Sequence, residues 1–244
     1  MDEIRASVAM AVYNGERYIN EQIDSIIERM GRNDELVISY DRSTDRTKEI
    51  IDGYAAADER VKVVENTGPG GVQNNFTNAV MNCRGQYIFL ADQDDVWIGD
   101  KINVVVEKFK QTDADLVVHN GYMTDGDLNI APATIFDQYG RYDNPVRNII
   151  KCNYWGCCMA FQSRIKDMVC PFPNRNRVGH DWWIGIQVGF YGKIVRIEDC
   201  LMMHRVHGSN QSEVKRRPLI EIMCHRLTLI GYLLKYVFSS GKGK

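Results

Sequence analysis

The 244 residues carry 30 Lys or Arg against 32 Asp or Glu, and a net charge of −2 gives no electrostatic footprint for a nucleic-acid partner. With 44% hydrophobic and 25% charged residues, the composition excludes a disordered or fibrous chain and suits one sizeable α/β core. Seven cysteines, odd in number and without zinc-type spacing, argue against a disulfide framework or structural metal, and adjacent Cys157 and Cys158 read as reduced, buried thiols.

No charged-then-apolar leader opens the chain, so a cytoplasmic protein is expected. Ala6 to Val12 reads as a buried strand closed by Tyr13-Asn14-Gly15. Glu16 to Met30 then sets Tyr18, Ile19, Ile23, Ile26 and Ile27 near a helical period, with Gly31 after it. Glu35 to Ser39 is a second strand, followed by a helix from Asp45 to Tyr54 that Ser43 or Thr44 would cap. Val61 to Glu65, Val72 to Met81 and Tyr87 to Ala91 continue as strand, helix, strand. Repeated βα units predict a largely parallel, right-handed, three-layer sheet. Leu116 to His119 reads as a further strand, the stretch to about Asn144 as loop, and a mixed region to His207 as the same domain.

In such sheets ligands sit outside the carboxyl ends of the strands. That rule gathers VYNG, SYDRSTD and DQDD on one rim. Asp92, Asp94 and Asp95 lie within four positions, and carboxylates this close repel unless a cation joins them. A hard divalent ion, magnesium or manganese beside a diphosphate, suits Asp94 first and Asp92 next. Asp95 reads instead as a cap for a helix beginning near Ile98 or Asp100. Asp41 can accept from a nucleobase imide or a ribose hydroxyl. Arg42 and Arg46 either meet phosphate or face solvent, and Tyr13 either stacks on a base or packs inward.

The segments MAVYNGERYINEQIDSI, VISYDRSTDRTKEII, GVQNNFTNAV, GQYIFLADQDDVWIGDKI, HDWW and RVHGSN occur in that order. Together, from Ala6 to Gln211, they resemble the family 2 glycosyltransferases of GT-A fold. The likeness is closest to the rhamnosyltransferase-like branch that builds bacterial surface polysaccharides. The resemblance implies a three-layer α/β/α fold with a Rossmann-like nucleotide-binding half, a mixed central sheet and a C-terminal helix. Residues 1–214 would form the catalytic domain and 215–244 a helical segment.

By the same resemblance, Ala11, Val12, Tyr13 and Asn14 line the nucleotide pocket and Asp41 contacts the base, with Asn75 and Gln93 on the nucleotide-sugar side. Asp92 touches ribose and shares the metal with Asp94, and His207 either completes the metal site or contacts the diphosphate. Asp181 is the implied general base, with His180, Trp182 and Trp183 on the acceptor side as shield and sugar platform. The implied activity is inverting transfer from dTDP-rhamnose or a UDP-hexose to a saccharide acceptor, lipid-linked in many such pathways. The second loop departs from the family: Tyr40 stands where a paired aspartate is usual, and Arg42 and Arg46 where glycines are common.

Two other readings compete. Asp92-Gln93-Asp94-Asp95-Val96 fits the motif of haloacid-dehalogenase-like phosphatases, although that motif follows the first strand of its domain and here three βα units precede it. A catalytically silent nucleotide-sugar binder is the reading that Tyr40 would support. Residues 218–238 start with proline and run apolar on more than one face. Such a helix packs on the domain, forms a homodimer interface, or rests on the cytoplasmic face of a membrane with Lys215, Arg216, Arg217, Arg226, Lys235, Lys242 and Lys244 near anionic lipid.

Overall fold

A computed structural model describes residues 3–142, 144–173, 178–208 and 218–240. Strand and helix alternate through the first 91 residues: β1 (Ala6–Val12), α1 (Ile19–Ile27), β2 (Asp34–Tyr40), α2 (Thr47–Ala57), β3 (Val61–Glu65), α3 (Val72–Asn82) and β4 (Tyr87–Ala91). β1 pairs in parallel with β2 and β4, and β3 pairs in parallel with β2. Each parallel pair needs a crossover, and the helices that supply it cover the sheet. That cover explains why β2 and β4 are buried at every position and why their sequences do not alternate.

The second half contributes β5 (Val96–Trp97), α4 (Lys101–Thr112), β6 (Leu116–Thr124), β7 (Ile130–Thr134), α5 (Ile135–Tyr139), α6 (Pro145–Ile150), β8 (Met159–Gln162), α7 (Lys166–Val169), α8 (His180–Tyr191), β9 (Ile194–Arg205) and α9 (Leu219–Ser240). The sheet runs β3-β2-β1-β4-β8-β6-β9-β5, with β7 beside β6. It turns mixed at β8, which lies antiparallel to both β4 and β6. The expected largely parallel order therefore holds on one side only, where a parallel half meets a mixed half.

Three sequence expectations need correction. Ser43 and Thr44 do not cap α2: Asp45 accepts from the Thr47 amide (3.0 Å), while Ser43 and Thr44 bond Asn14 across the rim. The stretch to Asn144 is not a loop: β6 runs on to Thr124, and β7 and α5 follow, α5 opened by a Thr134–Asp137 capping box. Asp95 caps no helix, because it is buried under β9. Of the C-terminal cations, Lys215, Arg216, Arg217, Lys242 and Lys244 lie outside the described residues, as do Ser209, Asn210 and Gln211 of the resemblance.

Candidate active site

The carboxyl ends of β1, β2 and β4 form one rim, as the parallel topology requires. Asn14 takes the left-handed conformation (φ 47°), tolerated by asparagine, and its side-chain oxygen accepts from the Thr44 amide (2.9 Å). The Gln93 amide locks onto Tyr13, accepting from its N–H (2.8 Å) and donating to its carbonyl (3.0 Å). Buried Asn75 donates to the Val12 carbonyl (3.0 Å). Gln93 and Asn75 thus order the Ala11–Asn14 backbone. Tyr13 points outward, half exposed.

Asp41 is buried and accepts from Asn66 Nδ2 (2.7 Å) and from the Gly71 amide (2.8 Å). A carboxylate has about four acceptor sites, so capacity for a ligand donor remains. Tyr40 does not fill the donor space: its ring is buried and its hydroxyl accepts from the Ser43 amide (3.0 Å). Arg42 has no left-handed backbone, so the turn needs no glycine there. Its guanidinium pairs with Glu65, and that of Arg46 with Glu49, both exposed.

The acidic corner lies beside this rim. Asp94 Oδ2 sits 2.9 Å from His207 Nε2, and the His207 ring packs 4.7 Å from that of Tyr18. Burial first, then the charges of Asp95 and Asp94, push the Asp92 carboxyl well above the usual range. Burial and Asp95 also raise Asp94, while His207 pulls it back. Half-dry carboxylates that raise one another are the arrangement a divalent cation relieves. Asp94 and His207 are in direct contact, and Asp92 lies near enough for the Asp94 charge to reach it, which places the residue types that suit a hard divalent ion at one corner.

Support for this corner comes from a network the sequence did not reveal. Asp95 Oδ1 accepts from His204 Nδ1 (2.8 Å) and from the Arg205 amide (3.1 Å). The buried Arg205 guanidinium donates to the Asp94 carbonyl (3.0 Å) and the Gly126 carbonyl (2.7 Å), pairs with Glu21, and lies over the Tyr18 ring. Asp95, His204 and Cys157 also bring ligand-type atoms within 4.8 Å of one another, but behind the rim and fully enclosed. The only clue in the sequence is adjacency, since Arg205 opens the RVH segment and His204 directly precedes it.

His204 gives a pH test. Although burial opposes its charge, Asp95 and its neighbours hold the imidazolium so that its pKa rises from 6.5 to about 9. A folded pKa above the unfolded one adds stability that is complete below about 6.5 and lost as pH rises through about 9. The melting temperature of wild type minus that of His204→Gln should therefore be largest near about pH 6 and shrink towards about pH 10. A difference that stays constant with pH would remove the ion pair from this account.

Asp181 stands in the first turn of α8, where its Oδ1 accepts from the Trp182 amide (2.7 Å). Its charge is the smallest of those that raise Asp92, so Asp181 lies near enough to be felt at the acidic corner. The neighbours expected to flank it on the acceptor side do not. Trp182 donates its indole N–H to the Asn148 carbonyl (2.8 Å) and Trp183 to the Val169 carbonyl (2.9 Å). Both are buried, so neither offers a face to a sugar. His180 is buried against Phe76, with ring centroids 4.1 Å apart. The reason is that α8 is enclosed from His180 to Val188, apart from Asp181 itself, which is half-buried. A broad groove of about 880 Å3 lined by Arg5, Arg29 and Asp100 lies at the amino end of β1, remote from this corner.

A parallel half joined to a mixed half, with an Asp-x-Asp at the end of β4, is the GT-A architecture. The chain belongs to glycosyl transferase family 2, whose profile matches residues 7–168. TuaG of Bacillus subtilis (strain 168), a glycosyltransferase named for teichuronic acid biosynthesis, is 28% identical over 86% of this chain and 82% of its own length. The Escherichia coli UDP-Glc:α-D-GlcNAc-diphosphoundecaprenol β-1,3-glucosyltransferase WfgD is 24% identical over 97% of this chain and 94% of its own. Other curated relatives are longer, and the chain spans 66% of one and 40% of another. Staphylococcus aureus TarS, residues 1–349 in complex with UDP-GlcNAc, shares the fold with a TM-score of 0.68. It is 18% identical, over 96% of this chain and 73% of that one.

Proposed function

We propose that the protein is a metal-dependent, inverting glycosyltransferase that moves a sugar from a nucleotide-diphosphate donor to a saccharide acceptor in bacterial surface polysaccharide synthesis. The observation that supports this reading is the Asp94–His207 contact at the end of β4, with Asp92 and Asp181 near enough for their charges to interact, beside a braced rim. Asp41 and the Ala11–Asn14 backbone hold the nucleoside, with Tyr13 as an outward face for the base. Asp92, Asp94 and His207 would hold a magnesium or manganese ion, which supplies Lewis-acid stabilisation of the departing diphosphate. Asp181 takes the proton of the acceptor hydroxyl, whose oxygen bonds to the anomeric carbon as the bond to the diphosphate breaks. One carboxylate acting as base, with no second nucleophile assigned, gives inversion.

The whole-length match to WfgD supports a UDP-hexose donor and a lipid-linked saccharide acceptor, with dTDP-rhamnose next to be tested. The experiment is nucleotide release from a panel of UDP- and dTDP-sugars, with and without manganese, alongside hydrolysis of a phosphate monoester. Metal-dependent release from one donor is expected. Monoester hydrolysis without donor turnover would establish the phosphatase reading instead, and donor binding without turnover the silent binder.

A further inference from the structure

The outer side of α9 is apolar. Leu219, Ile220, Met223, Leu227, Ile230 and Leu234 are exposed, Leu219 to 80% and Leu227 to 65%. From Ile220 onward they recur every three or four residues, a stripe along one side of the helix. The opposite side already has its partner: His225 and Leu229 are buried, and Tyr232, Leu233 and Tyr236 pack on the core. Two apolar sides on one surface helix are unusual, because a helix seated on a domain normally turns charge outward. Here the exposed charged positions described between Leu219 and Tyr236 are Glu221 and Lys235 alone.

The apolar surface extends past this helix. Ile150 on α6 is 70% exposed, and Val146, Phe190 and Tyr191 are also exposed. These neighbours are tied to α9: the Arg226 guanidinium donates to the Ile150 carbonyl (2.6 Å), and the Tyr191 ring lies 5.8 Å from that of Tyr236. Contiguous apolar area of this extent marks a contact surface.

Charge identifies the occupant. Residues 215–244 contain seven Lys or Arg and one Glu, in a chain whose net charge is −2. Pairing two copies along α9 would bring two such cationic segments together. An anionic bilayer offers both an apolar interior for the stripe and counter-charge for the flanks. Exposed Phe190 and Tyr191 suit the same boundary. No helix of the described residues is long and apolar enough to cross a membrane.

We infer that α9, with the adjoining ends of α6 and α8, is a docking surface on which the protein rests against an anionic lipid bilayer. The experiment is flotation of the full chain with vesicles of phosphatidylcholine, with or without phosphatidylglycerol, at low and high salt. Flotation with the anionic vesicles at low salt is expected, and its loss in high salt and with neutral vesicles. In an Ile220→Glu/Leu227→Glu variant the floated fraction should fall by about tenfold or more. Both positions are exposed, so its melting temperature should stay at the wild-type value, which separates lost docking from lost fold. Failure of the full chain to float overturns the inference. So does a stable dimer in light scattering that the variant dissociates while flotation is unchanged. The readout involves no turnover, so it stands or falls apart from the proposed glycosyl transfer.

Discussion

Asp94→Ala is expected to reduce transfer by about 10³-fold or more, the scale of losing a preorganised group that stabilises developing charge. The carboxylate meets His207 at 2.9 Å and shares its corner with Asp92 and Asp95. Without it the site loses the carboxylate best placed for the ion, and Asp92 and His207 would hold a divalent cation beside a diphosphate more weakly and in altered geometry. The fold should not suffer. Asp94 is a group that burial and Asp95 disfavour in its charged form, so its removal relieves repulsion and leaves the melting temperature unchanged or higher. The measurements are transfer rate, donor affinity by calorimetry, and activity of the wild type after chelation. Wild-type activity that survives chelation, or full activity in the variant, would end the metal role.

Asp181→Asn tests the base. Asparagine keeps an oxygen to accept from the Trp182 amide, so the first turn of α8 keeps its local bond, but the side chain no longer takes a proton. Loss of a general base costs about 10²–10⁴ in rate. That fall is expected in transfer, with donor affinity changed by no more than about twofold. If donor affinity collapses in step with the rate, Asp181 is a donor ligand and the base must be sought elsewhere.

The first half of the chain was legible because each strand is a short apolar run closed by a turn. Val61–Glu65 and Tyr87–Ala91 are read to the residue, and β1 likewise. The continuation of β6 beyond His119 was not, because Asn120 and Gly121 look like a loop until the sheet neighbour and α5 that bury them are known. Trp182 and Trp183 show a different limit. An indole serves equally as a sugar platform or as core, and only the carbonyls of Asn148 and Val169 decide between them. The Asp-x-Asp could be read from local spacing, whereas Asp95 and His204 stand 109 residues apart and nothing local announces their pairing.

Arg205 brings together pieces that are remote in the chain: Glu21 on α1, the backbone at Asp94, and the turn at Gly126. A corner cross-linked in this way cannot loosen one segment at a time. Its conformational freedom is surrendered when the protein folds, before any ligand arrives. Binding at Asp92 and Asp94 then carries little ordering cost of its own. Amide hydrogen exchange around β9 and the DQDD turn should accordingly be slow in the empty protein and little changed by nucleotide.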